Sequence, residues 1–154
     1  MRKTWTKAIP FFPESELMCP STGVIRLDYS MAIELPRLRY LINKPLSPTS
    51  VCRTPERNLK VKGHPRSLHL TENPVHPTGG CMAADLYQLD WDSELRLRFA
   101  RLCWSLGWSI GLEDRFIHVD RRVDIGLRQT VYTYDGRWHG FDPERVCDPV
   151  KGWR

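Results

Sequence analysis

Hydrophobic positions along this chain change their period several times, and those changes divide it into elements. The first 27 residues alternate prolines with short apolar clusters, Ile9 to Phe12 and Leu17-Met18. They sustain no period and predict an irregular segment wrapped over the rest. From about Asp28 to Ile42, the positions Met31, Leu35, Leu38, Leu41 and Ile42 fall at helical spacing, with Asp28 or Ser30 as the cap. Pro36 removes a backbone donor in the middle of that helix and predicts a kink. Leu46 to Arg53, bounded by prolines and carrying Thr and Val, reads as a strand, and Thr54 to Asn58 as a turn or helix start. A long loop with the stretch His64 to Gly80 comes next. Ala83 to Leu89 predicts a buried strand, because paired alanines allow close backbone approach while Leu86 and Tyr87 supply bulk.

Ser93 opens the strongest helix pattern: Leu95, Phe99, Leu102, Cys103 and Leu106 recur at helical spacing, Arg96 and Arg101 lie on the other side, and Gly107 ends it. Phe116 to Asp120 and Thr130 to Tyr134 predict two strands paired with each other, with Asp135-Gly136 a hairpin-type turn after the second. From Arg137 to residue 154 the chain reads as a Pro-rich, loop-like tail. Helices and a small antiparallel sheet in succession indicate an α+β fold, the sheet flanked by helices, as one domain over residues 1–154.

Composition narrows the class. A chain of 154 residues can bury a core without disulfides or structural metals, and 41% hydrophobic with 27% charged residues is ordinary for a globular protein. No stretch approaches a membrane span, so no membrane insertion is expected. The opening MRKTWTKAIPFFP lacks the uninterrupted apolar run of a secretory signal, which predicts a product that stays in the cytoplasm unless something else delivers it. The five cysteines contain no C-x-x-C pair and read as reduced thiols. A net charge of +5 favours an anionic partner, either nucleic acid or an anionic cell-wall polymer. With no recognition helix or stacking motif, nucleic acid is not expected.

Two stretches carry candidate chemistry. His64 to Asp85 holds three of the five histidines. In Phe116-Ile-His-Val-Asp120, strand alternation puts His118 and Asp120 on the face of Phe116, with Ile117 and Val119 opposite. Two imidazoles and a carboxylate drawn from these stretches could close on one divalent metal and leave a position open, as a catalytic zinc site requires. A hydrogen-bonded His–Asp pair without metal is the alternative reading of the second stretch. Taken singly, His69 reads as a surface loop residue and Asp85 as the end of an apolar run.

Three blocks in order, with a lead-in, carry a resemblance. Ser50-Val-Cys-Arg-Thr-Pro-Glu-Arg-Asn58 is similar to S-G-Y-R-[ST]-P-x-x-N. Ser67-Leu-His69, followed by Gly80 and Ala83-Ala-Asp85, is similar to S-x-H-x-x-G-x-A-x-D. Phe116-Ile-His-Val-Asp120 is similar to F-I-H-V-D. Phe12, Glu16 and Cys19-Pro20 resemble an F-x-x-x-E-x-x-C-P opening. Over residues 11–135 the chain therefore resembles the zinc D-Ala-D-Ala carboxypeptidases and related peptidoglycan endopeptidases, a group that includes phage endolysins and has the Hedgehog/DD-peptidase fold. Two features depart from that pattern. His69 and Asp85 are farther apart, with residues 70–79 read as an inserted loop, and Val51-Cys52 replaces Gly-Tyr before the arginine.

The resemblance implies that His69, Asp85 and His118 hold Zn2+, with His76 the rival to His69. Bound zinc would polarise the scissile carbonyl and lower the pKa of water. Arg53 would bind substrate or stabilise the developing oxyanion, and Ser67 would support the ligand loop beside the substrate. The general base is expected to be Asp120, with Asp114 and Glu113 in reserve, although Asp120 could instead orient a ligand histidine. His64 and His139 read as exposed loop residues. Trp108 and Trp138 could line a groove, and Arg115, Arg121 and Arg122 read as a solvated face or an attractor for anionic wall. The implied function is hydrolysis of peptidoglycan stem or cross-link peptides by a monomer made in the bacterial cytoplasm, acting on the wall after phage or prophage lysis. The alternatives are a D,D-carboxypeptidase or dipeptidase that trims free ends, and a non-catalytic phage structural or wall-binding relative.

Overall fold

A computed structural model describes residues 2–147 of the chain. The architecture is α+β, a two-stranded antiparallel ribbon and a five-stranded mixed sheet together with helices. In order the elements are β1 (Thr4–Trp5), α1 (Glu14–Leu17), β2 (Leu27–Asp28), α2 (Tyr29–Ile42), β3 (Pro48–Ser50), α3 (Pro55–Lys60), β4 (Ala83–Tyr87), α4 (Ser93–Ser105), β5 (Ser109–Leu112), β6 (Phe116–Asp120) and β7 (Val131–Thr133). Short 3-10 turns span Arg122–Ile125 and Pro143–Cys147. The end of the expected loop-like tail, 148–154, lies outside the described residues.

Local chemistry explains most boundaries. The Asp28 carboxylate accepts from Ser30 N at 3.0 Å and caps α2, and Asn43 closes that helix in the left-handed region. Pro36 is buried inside α2, and the helix runs on through it. Leu41 departs from the expected buried stripe and is exposed. Thr54 caps α3 by accepting from Arg57 N, with Pro55 in the first turn, where its missing donor costs nothing. Asp92 caps α4 by accepting from Leu95 N at 2.8 Å, and Gly107 lies beyond its end at φ +86°. Residues 2–27, expected to be irregular, contain the short β1 and α1 among their loops.

The five-stranded sheet has the order β3-β4-β6-β5-β7. β6 lies antiparallel to both β4 and β5, whereas β7 runs parallel to β5. The expected pairing of Phe116–Asp120 with Thr130–Tyr134 is therefore corrected: β5, which periodicity did not mark, lies between them. No described strand follows Asp135-Gly136, so that turn closes no hairpin. On one face of the sheet Ala84, Leu86, Ile110, Leu112, Ile117 and Val119 join a single hydrophobic cluster with Phe99, Ala100 and Cys103 of α4 and Met31, Leu35 and Leu38 of α2. The other face carries the polar residues discussed below.

Two expectations about arginines are also corrected. Arg96 is buried against Trp138 and donates to the carbonyls of Trp91 and Gln88. Arg121 is buried over Trp108 and donates to Asp124 and to Leu106 O. Long guanidinium side chains lay their stems along apolar surface while the head finds oxygens, so a polar sequence position need not be a solvated one. None of the five cysteines is in a disulfide, and no helix among the described residues is long and apolar enough to cross a membrane.

Candidate metal centre

Strand register assembles the site. Asp85 of β4 lies directly opposite His118 of β6, His118 opposite Gly111 of β5, and Gly111 beside Tyr132 of β7. This single row across four strands brings a carboxylate, an imidazole, a glycine and a phenol to one face. The alternation expected for β6 is observed, since Phe116, His118 and Asp120 line the cavity over this face while Ile117 and Val119 enter the core.

His69 reaches the row from the loop before β4. Arg53 N donates to His69 O at 2.9 Å and Thr71 N to Arg53 O at 3.0 Å, which ties the arginine segment to the histidine loop. Ser67 Oγ accepts from His69 N at 3.2 Å, the supporting bond anticipated for it. His69, Asp85 and His118 each offer one ligand atom, all within 4.8 Å of one another. His76 lines the same cavity but stands outside that group, so the structure gathers His69 with Asp85 and His118.

The hydrogen bonds fix which ring atoms face the centre. His69 Nδ1 lies 2.8 Å from Val51 O, and a carbonyl can only accept, so Nδ1 carries the proton. In the neutral ring the buried Nε2 is then a lone pair, 3.2 Å from Asp85 Oδ1 and without a hydrogen-bond partner. Two acceptors facing each other inside a protein are costly unless a cation or proton lies between them. His118 repeats the arrangement. Its Nε2 is 2.9 Å from Asp120 Oδ2 and its Nδ1 is 3.0 Å from Asp85 Oδ1. If Nε2 donates to Asp120, Nδ1 is free to ligate beside Asp85. Two imidazole nitrogens and a carboxylate could together hold a metal ion.

The two carboxylates beside His118 favour positive charge at this place. Burial opposes charge on His118, but hydrogen bonds to Asp120 and Asp85 outweigh it and hold its pKa well above the usual imidazole value. Burial likewise opposes ionisation of Asp85, yet positive charge on His69, when its ring is protonated, and the hydrogen bond from His118 keep it far below the usual carboxylate range. Asp120 is depressed despite its burial, because Arg122 and His118 both donate to it.

The other expected residues divide clearly. Arg53 borders the centre, with Nη1 3.2 Å from Asn58 Oδ1, Nη2 3.2 Å from Ser50 Oγ and 4.0 Å from Asp85 Oδ2. Asp120 is fully buried, and its oxygens accept from Arg122 Nε, Arg122 Nη2 and Arg122 N as well as facing His118. That places it as the carboxylate orienting His118. Glu113 is buried away from the cavity against Arg115, and Asp114 is held by the exposed His139, so neither reserve base reaches the centre. Trp108 is wholly within the core and Trp138 packs on Phe141 and Arg96, so neither lines the site. His64 is exposed, as expected, but at the rim of the cavity.

Sequence reasoning missed Tyr132 and Tyr134, which line the cavity with hydroxyls 3.2 Å apart, the Tyr132 ring packed against His118. Their i, i+2 spacing on a strand was the available signal. Asn58, the last residue of the first block, was given no role there; it is buried and accepts from Arg53. The chain matches no protein-family model, no curated protein and no solved structure.

Proposed function

We propose that the protein is a zinc peptidase of Hedgehog/DD-peptidase type that hydrolyses peptide bonds in bacterial peptidoglycan stems or cross-links. The observation that carries this reading is the bare, buried Nε2 of His69 aimed at Asp85 beside His118, an arrangement of acceptors that a divalent cation would satisfy. His69, Asp85 and His118 would hold the metal. When bound, zinc supplies Lewis acidity towards a carbonyl oxygen and a lowered pKa for water. The protein's own groups do the rest. Arg53 stays charged and presents a fork of donors at the edge of the centre, suited to a substrate oxygen. Asp120, locked by Arg122, fixes the His118 ring and its tautomer. In a lytic setting the enzyme would meet the wall once the membrane has been opened.

One observation favours a second reading, a metal-binding relative without turnover. Among the described residues lining the cavity the carboxylates are Asp85 and Asp120, and both are already engaged. The two readings separate in one experiment: metal content by mass spectrometry for the wild type and His118→Ala, each incubated with purified peptidoglycan. About one zinc per chain, lost in the variant together with release of wall peptides, supports the peptidase. Zinc without peptide release supports the second reading. No zinc after supplementation rejects the centre.

A further inference from the structure

The wall of the cavity on the Arg53 side is built by residues that metal ligation does not use. After α3 the chain turns through Lys62 at φ +54°, a left-handed position that glycine or asparagine usually fills. Lys62 occupies that position, and the residue lines the cavity. Gly63 follows so close to Asn58 that a Cβ on it would lie 2.0 Å from Oδ1. Asn58 Oδ1 accepts from Arg53 and its Nδ2 donates to His64 O at 3.0 Å, so Arg53 and the 62–66 turn are held as one unit. The stretch before β4 braces the other end. Asn73 Nδ2 donates to the carbonyls of Arg66 and Ser67, and its Oδ1 accepts from the backbone of Val75 and His76.

This fixed wall carries unbalanced charge. Arg53, Lys62 and Arg66 line the cavity, and no described carboxylate lies in ion-pair range of Lys62 or Arg66. Asp120 is neutralised by Arg122, and Asp85 faces the two histidines. On the β7 side Phe116, Leu127, Tyr132 and Tyr134 are uncharged, and Arg122 over the Tyr132 ring is paired with Asp120. Positive charge concentrated on one side of a cleft with apolar walls opposite orients an anionic ligand.

We propose that Lys62 and Arg66, together with Arg53, form a subsite for a carboxylate carried by the substrate next to the bond that is cut. The cleavage part of this statement rests on the peptidase reading, whereas the anion preference rests on the wall alone. Two sources share that chemistry, the free α-carboxylate of a terminal residue and the side-chain carboxylate of an acidic residue inside a longer peptide.

The test uses the zinc-loaded full chain and three peptides: a stem peptide ending in D-Ala-D-Ala as the free acid, the same peptide as its amide, and an amidated peptide with an acidic residue beside the scissile bond. Both kcat/KM and binding by calorimetry are measured for wild type, Lys62→Gly and Arg66→Ala. Preference for the free acid over the amide by about tenfold or more, reduced in both variants, assigns a terminal carboxylate and an exopeptidase. Preference for the internal acidic peptide, reduced in the same way, assigns a side-chain carboxylate. Lys62→Gly removes a left-handed lysine, so its thermal stability is expected to match or exceed wild type, which separates lost binding from lost folding. If cleavage fails while the calorimetric preference and its loss in the variants persist, the peptidase reading falls and the subsite stands. Equal affinity and turnover for acid and amide, a preference that survives both substitutions, or no binding of any peptide overturns the subsite.

Discussion

His118 Nε2 lies 2.9 Å from Asp120, on the opposite edge of the ring from the 3.0 Å contact between Nδ1 and Asp85. The imidazole is thus held between two carboxylates with different tasks. Asp85 sits in the ligand group, while Asp120 is anchored by Arg122 Nε at 2.9 Å and Nη2 at 2.7 Å. Substituting Asp120→Asn keeps the shape but offers His118 an amide that can donate as well as accept, which releases the tautomer that leaves Nδ1 bare. Zinc affinity measured by chelator competition is expected to fall by about 10–100-fold with the fold retained. An unchanged affinity would show that Asp120 does not orient the ring.

Gly111 is the empty place in the row that holds Asp85, His118 and Tyr132. A Cβ there would approach the Tyr132 ring to 2.7 Å and the Tyr134 ring to 2.8 Å. Gly111→Ala is expected to destabilise the protein by about 1–3 kcal/mol through overpacking, read from the denaturation midpoint. The double variant Gly111→Ala/Tyr132→Ala should be less destabilised than the sum of the two single changes, because the clash goes with the ring. Additive losses would place the strain elsewhere.

The same row shows what was legible in the sequence. Asp85 and His118 stood in short apolar runs, where alternation alone assigns a face, and β4, β6 and α4 followed from local pattern. β5 did not, because Ser109-Ile-Gly-Leu112 is four residues long and an interior glycine weakens a strand reading. Only the two tyrosines folded over Gly111 explain that glycine, and they come from a strand twenty residues later in the chain. The parallel pairing of β7 with β5 likewise leaves no local trace. The two reserve acids escaped local reading for a related reason: spacing brought Glu113 and Asp114 near His118 in the chain, but the turn between β5 and β6 gives them to Arg115 and His139.

Asp28 links segments far apart in the chain. Its side chain is fully buried and accepts from Arg2 Nε and Nη2, from Ser30 N and from Gly79 N at 2.7 Å. Burial alone would raise its pKa, but the bonds from Arg2, Gly79 and Ser30 outweigh burial and hold it below the ordinary carboxylate value. A depressed folded pKa means that the contribution is complete above the unfolded value and is lost as pH falls through the folded one. Asp28→Asn is expected to cost about 1–3 kcal/mol near neutral pH, with the loss shrinking as pH falls below about 4. Denaturant titrations of both proteins across that range check this. A pH-independent difference would mean that packing, and not the charge, is what Asp28 contributes.

The stretch before β4 offers two histidines for one position, and the structure separates them by depth. His69 is buried, with Nδ1 engaged by Val51 O and Nε2 without a hydrogen-bond partner, whereas His76 is half-buried on the segment that Asn73 braces. A ligand must be oriented by a partner on its other nitrogen, and the described contacts provide that for His69. His69→Ala is therefore expected to lower zinc affinity by more than the about 10–100-fold assigned to Asp120→Asn, while His76→Ala leaves affinity close to wild type. His69→Gln serves as the control for folding, since it keeps volume at the buried position and removes the imidazole. Chelator competition on the three proteins, with circular dichroism beside it, decides the matter. Loss of zinc in His76→Ala and its retention in His69→Ala would reverse the assignment and move the centre to the mouth of the cavity.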